Sequence, residues 1–303
     1  MEAARGNATF QGRAEEKGAV IWRDWGGSGP LLHFAHANGF PPGTYRKLIT
    51  DLSQNHHVVS MAGRPLWRES TPTVLHDWSL FADDLRTELD RRSLRGVIGV
   101  GHSLGGVISL LAAAADPGIF SAVVAVDPLI LTGVHSAFWG AVKKIGMAER
   151  IRLVRGARRR RDVWDDRDQA RTNYGRKSVF AGWDPEVLDD YLEAGLVEQP
   201  GGGERLRYPR EWEARIFAAA PHNLWRQLKK VTVPTLFVQG EHTDTFVDAA
   251  RIRVEREVPG ARTVVVPGSS HFLPMECPRE LARVIDNFLG ALKPEEDQGE
   301  AGD

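Results

Sequence analysis

Two kinds of hydrophobic pattern alternate along the chain. Short, almost unbroken apolar runs occupy residues 31–36 (LLHFAH), 57–62 (HVVSMA), 97–101 (VIGVG), 122–126 (AVVAV), 235–240 (TLFVQG) and 263–266 (TVVV). Runs of Val, Ile and Leu without polar alternation predict strands covered on both faces, as in a mainly parallel sheet. Between them apolar positions recur at helical spacing. Residues 78–92 carry Leu80, Phe81, Leu85 and Leu89 on one stripe, and 104–115, 248–257 and 278–292 follow the same rule. The last opens on Pro278, whose missing N–H is no loss in a first turn. Residues 20–25 predict part of an antiparallel edge. Strand and helix in this alternation predict a doubly wound α/β sheet.

Residues 129–230 break the rhythm. They are rich in Arg, Trp and Tyr, show no clear strand run, and carry a glycine joint at 201–203. This stretch predicts a helical insertion, a cap or lid, above the sheet. The expected division is a core at 1–128 and 231–292, a cap at 129–230 and a polar tail at 293–303. Trp139, Trp164, Trp183, Trp212 and Trp225, with Tyr174 and Tyr191, predict a packed helical layer, one or two of them facing an apolar pocket. The run Arg158 to Arg161, with Asp162, Asp165 and Asp166 nearby, predicts a solvated helix face with ion pairs.

Composition narrows the classes. With 42% hydrophobic and 26% charged residues and one cysteine, Cys277, the chain is neither disordered nor a disulfide scaffold. The 39 basic and 40 acidic residues leave a net charge of −1, so no global field draws nucleic acid or an anionic membrane. No apolar run is long enough for a membrane span, and residues 1–18 are expected to be neither a signal nor an anchor. The lone cysteine suits a reducing cytoplasm. No histidine pair has metal-ligand spacing, so no metal is expected. A dinucleotide reading of Gly99-x-Gly101 fails because Leu104 stands where a third glycine belongs, and no cofactor is expected. A small molecule remains as the partner; oligomeric state has no signature here.

The strongest chemical signal is Gly101-His102-Ser103-Leu104-Gly105, directly after a predicted strand and before a predicted helix. A serine on so sharp a turn is lifted above the sheet edge, and the glycines two residues to either side leave room for the turn. The helix start aims its amides at the same point, with the Leu104 N–H placed for a developing oxyanion. A serine hydroxyl needs a base. His271, in the loop PGSSHFLP between the last strand and last helix, lies at the sheet edge where the serine emerges. The imidazole in turn needs a carboxylate. Asp244, in the loop after residues 235–240, is the first choice, with Glu241 and Asp127 as alternatives. The second oxyanion amide is expected in His36-Ala37-Asn38-Gly39-Phe40, best from Asn38, with Ala37 and Phe40 behind it. Phe40, Trp67, Phe246 and Phe272 are candidate pocket walls.

These motifs together resemble the α/β-hydrolase superfamily. The likeness rests on the Gly-His-Ser-Leu-Gly elbow, the loop His-Ala-Asn-Gly-Phe-Pro, the strand Pro-Thr-Leu-Phe-Val-Gln-Gly-Glu-His and the final Gly-Ser-Ser-His-Phe-Leu-Pro-Met-Glu. It spans about residues 20–292, with the helical middle similar to that superfamily's cap. The resemblance implies Ser103 as nucleophile, His271 as base, Asp244 as acid, and Asn38 and Leu104 as oxyanion amides. It implies hydrolysis of a carboxylic ester, lactone or thioester through an acyl-enzyme. The alternatives are carbon–carbon bond hydrolysis and a non-hydrolytic biosynthetic or ligand-binding role. Members with a carboxylate nucleophile are disfavoured, since position 103 is Ser.

Overall fold

The structure, a computed structural model, describes residues 14–17, 20–68 and 70–292. The tail at 293–303 and most of the N-terminal stretch lie outside them. In chain order the strands are β1 (Ala14–Lys17), β2 (Val20–Gly26), β3 (Leu31–Ala35), β4 (His57–Met61), β5 (Val97–His102), β6 (Phe120–Val126), β7 (Val163–Trp164), β8 (Leu196–Glu198), β9 (Glu204–Leu206), β10 (Thr235–Gly240) and β11 (Ala261–Val266). Eight of them form one sheet in the order β1-β2-β4-β3-β5-β6-β10-β11. From β4 through β11 every pairing is parallel, while β2 runs antiparallel to both β1 and β4. The antiparallel strand expected at residues 20–25 is therefore second from the edge, covered by β1.

Residue alternation explains how the central strands bury both faces. On β6, Val123 and Ala125 pack with Phe81, Leu85 and Val107 from the helices Ser79–Arg91 and Leu104–Ala115. Ala122, Val124 and Val126 point the other way, into a core completed by the helices Arg46–Leu52 and Pro278–Gly290. Each fully buried Val or Leu in these layers contributes about 1.5–3 kcal/mol. The edge strand β11 is covered less completely, with Val265 exposed. The seven residues of the helix Arg46–Leu52 are too few to leave a periodic signal in the sequence.

Between β6 and β10 the chain is mainly helical, but it is not strand-free. β7, β9 and β8 form a small antiparallel sheet. Their two or three residues each fall below what an apolar run can announce. The aromatic residues of this segment divide between the two cores. Trp212 and Trp225 join the first, and Trp164, Tyr174, Trp183 and Tyr191 join the second. The arginine run is not one solvated face. Arg158 pairs with Glu149 and Glu211, whereas Arg160 turns inward to Glu213, Tyr174 and Tyr191. Among the described residues no helix is long and apolar enough to cross a membrane.

Candidate active site

Because β3, β5, β6 and β10 are parallel, their carboxyl ends lie at one sheet edge, where α/β sheets place ligands. Ser103 follows β5 there. Its φ of 53° and ψ of −113° lie off the regions open to ordinary residues, as a strained elbow requires. Close packing explains the flanking glycines. A Cβ on Gly101 would sit 2.3 Å from the carbonyl of Gly105, and one on Gly105 would sit 2.1 Å from the Ala35 oxygen. The Ser103 amide donates to Val126 O at 2.8 Å, tying the elbow to β6.

One residue past β6 stands Asp127, wholly buried and with φ of +43°. Its Oδ2 accepts from His271 Nδ1 at 2.7 Å and from Thr243 Oγ1 at 2.6 Å. Its Oδ1 accepts from the Gly240 amide at 3.0 Å. This corrects the expected acid. Asp244 is exposed and among the described residues bonds only the neighbouring Thr245 hydroxyl, while Thr243 turns its own hydroxyl toward Asp127. Glu241, the other alternative, is exposed and accepts from the Gly268 amide. The loop after β10 thus supplies donors to the carboxylate instead of the carboxylate itself.

A carboxylate only accepts, so the proton of His271 sits on Nδ1 and Nε2 is left as the basic nitrogen. The histidine loop is fixed by contacts on both sides. Ser270 donates from its amide and its hydroxyl to the Glu276 carboxylate at 2.7 and 2.5 Å. The Ser269 carbonyl accepts from the His242 amide at 2.8 Å. Among the described residues Ser103 Oγ makes no hydrogen bond; such contacts are commonly long without substrate.

A directional chain links the three loops of the site. The Ala37 amide donates to Tyr45 Oη at 3.1 Å. Tyr45 Oη lies 2.9 Å from His102 Nδ1, and His102 Nε2 lies 2.9 Å from the His271 carbonyl. That carbonyl can only accept, so His102 carries its proton on Nε2 and takes the Tyr45 hydrogen at Nδ1. Burial holds the His102 imidazole well below its usual pKa, in keeping with this neutral form. The ring also packs on His271, with centroids 4.9 Å apart. Tyr45 had no sequence signal, being one aromatic in a Pro-Gly loop.

The chain also sorts the oxyanion candidates. The Ala37 amide is taken by Tyr45, and the Phe40 amide bonds back to Ala37 O at 3.3 Å. Among the described residues no hydrogen bond engages the amides of Asn38 or Leu104. Gly39, at φ of +85°, gives the loop its turn.

The candidate pocket walls divide in two. Phe40 and Phe272 lie 5.8 Å apart and meet Trp183 at 5.7 and 5.8 Å, with Phe272 5.3 Å from the His271 ring. Phe246 does not belong with them. It is completely buried and stacks on Phe237 in the core, because the chain after β10 turns back under the sheet edge. Trp67 is elsewhere too, donating its indole N–H to Ala62 O at 2.6 Å beneath the Arg64 guanidinium. Trp183 and Tyr191, two of the aromatics expected in the packed helical layer, complete this cluster against Phe40.

Comparison with known proteins agrees with the fold. A family model described as the alpha/beta hydrolase family matches residues 34–284. A 2-(acetamidomethylene)succinate hydrolase from Mesorhizobium japonicum is 28% identical over 271 residues, covering 88% of this chain and 90% of the relative. A crystal structure of E-2-(acetamidomethylene)succinate hydrolase superposes with a TM-score of 0.75 at 23% identity, over 92% of this chain and 98% of the other. An esterase from M. tuberculosis superposes with a TM-score of 0.71 at 19% identity, over 92% of each chain.

Proposed function

The chain belongs to the alpha/beta hydrolase family, and from that premise we propose that it is a serine hydrolase of carboxylic esters, lactones or thioesters, working through an acyl-enzyme. The observation that carries this reading is the 2.7 Å hydrogen bond from His271 to the buried Asp127, at the sheet edge that holds the Ser103 elbow. A buried carboxylate aligned on an imidazole, at the edge that carries a strained serine, is the arrangement acyl transfer uses.

The mechanism follows from the donors and acceptors. Ser103 Oγ attacks the acyl carbon as His271 Nε2 takes its proton, and Asp127 stabilises the resulting imidazolium. The carbonyl oxygen becomes an oxyanion held by the amides of Leu104 and Asn38. Collapse expels the alcohol, or thiol, with the proton from His271. Water then enters, gives its proton to His271, attacks the acyl carbon, and releases the acid with Ser103 restored. The segment between β6 and β10 acts as a cap, closing the acyl side with Trp183 and Tyr191 against Phe40 and Phe272.

Acyl chemistry is in keeping with the relative named an esterase and with a fold neighbour named an enol-lactonase. A panel of p-nitrophenyl esters of rising chain length, with a lactone and a thioester added, tests the reading. Turnover of at least one acyl substrate, abolished in a folded Ser103→Ala variant, is expected. Full activity in that variant refutes the nucleophile. Cleavage of a carbon–carbon bond substrate alone would move the chain to carbon–carbon bond hydrolysis.

A further inference from the structure

Asn38 is buried at the meeting of the oxyanion loop and the segment between β6 and β10. Its Nδ2 donates to the Glu213 carbonyl at 3.0 Å, and Tyr208 Oη donates to its Oδ1 at 2.9 Å. The orientation of the carboxamide is forced, because a backbone carbonyl can face only the NH2 end. Both partners come from the cap side, Glu213 on the helix Arg210–Ala218 and Tyr208 just ahead of it.

The backing of this contact is a largely buried charge cluster that takes no part in the proton transfers above. Arg160 pairs with the Glu213 carboxylate and donates to the hydroxyls of Tyr174 and Tyr191 at 3.0 and 2.8 Å. Three separate stretches of the cap are thereby locked to one guanidinium. The Glu213 carboxylate also lies against the loop itself, since a Cβ on Gly39 would sit 3.2 Å from its Oε1.

We propose that the cap clamps the second oxyanion amide through the Asn38 carboxamide, which makes Tyr208, Glu213 and Arg160 positioning residues. This rests on the serine-hydrolase reading above and deepens it. A side chain held at both ends fixes the peptide that carries its own N–H, and a misplacement of about 1 Å at such a donor can cost a hundredfold in rate. The oxyanion site is complete only with the cap seated.

The test compares Tyr208→Phe, Asn38→Leu and the double variant on a p-nitrophenyl ester, with inhibition by an alkylboronic acid as a tetrahedral mimic. Each single change is expected to lower kcat roughly tenfold to a hundredfold, leave KM within about twofold, and weaken the boronate in parallel. The double variant should match Asn38→Leu alone, because both losses run through one side chain. Losses that multiply, or kcat within about twofold of the parent in both singles, overturn the clamp. If Asn38→Leu does not fold, Asn38→Ser takes its place in the cycle. Hydrogen exchange of the loop containing Asn38 reads the clamp without turnover. Faster exchange in Tyr208→Phe supports it even if the parent hydrolyses no acyl substrate, a result that would sink only the function; unchanged exchange counts against the clamp.

Discussion

Asp127 and His271 are 144 positions apart in the chain, yet they share a 2.7 Å hydrogen bond with the carboxylate excluded from solvent. Burying a carboxylate is costly unless it is paired and hydrogen-bonded. Asp127 has three: the His271 ring, the Thr243 hydroxyl and the Gly240 amide. This fixes the imidazole tautomer and orientation before any substrate arrives.

Asp127→Asn should lower kcat by about three to four orders of magnitude, since an amide favours the wrong tautomer. Asp244→Asn should stay within about twofold of the parent, as an exposed side chain away from the ring. Steady-state kinetics of the two variants on one ester decides between them; the opposite ranking would restore Asp244.

The elbow was legible in the sequence because Gly-x-Ser-x-Gly acts through backbone geometry that the residue types report directly. The parallel sheet was legible because strands buried on both faces leave long Val and Ile runs. Asp127 was harder to rank. One residue past β6, it competes with an aspartate in the loop after β10, and only the three-dimensional turn of that loop decides which reaches His271. Phe246 misled for the same reason, since nearness in sequence to a catalytic loop does not say which way a ring faces. Tyr45 and the Asn38 contacts depend on partners up to 175 positions away, which no local pattern encodes.

Tyr45→Phe removes the hydroxyl that serves both the Ala37 amide and His102 Nδ1. Two buried groups lose a partner, at about 1–3 kcal/mol each. Urea unfolding should register that loss, and kcat should fall roughly tenfold as the oxyanion and histidine loops decouple. Stability and rate both unchanged would show the chain to be idle.

Three buried histidines give a pH signature. His33 Nε2 accepts from the Met61 amide, His36 Nε2 from the Gly63 amide, and His102 Nδ1 from Tyr45. Burial lowers His33 from 6.5 to about 3 and His36 from 6.5 to about 4, and places His102 well below 6.5. With folded values depressed, the unfolded chain binds protons first as pH falls. Their stabilisation is therefore full above about 6.5 and is lost on acidification toward the folded values. Between pH 6.5 and 5 the loss is about 1.6 kcal/mol for each of His33 and His36. Urea midpoints at pH 7 and 5 measure it, and a flat profile would contradict the neutral assignments.

Trp183→Ala and Phe246→Ala should separate pocket from core. Removing the Trp183 ring, which packs on Phe40 and Phe272, should shift the preference toward longer acyl chains and, as a buried ring, also cost about 3–5 kcal/mol in stability. Removing Phe246 should cost about 3–5 kcal/mol and leave the chain-length preference unchanged. Thermal melting together with the ester panel reads both.

Covalent labelling with a fluorophosphonate, located by peptide mass spectrometry, asks whether the serine is activated at all. The adduct should form on Ser103 within minutes in the parent protein and slow by orders of magnitude in His271→Ala and Asp127→Asn. A folded parent that stays unlabelled, or carries the adduct on another residue, would contradict the assignment of Ser103, His271 and Asp127 as one catalytic unit.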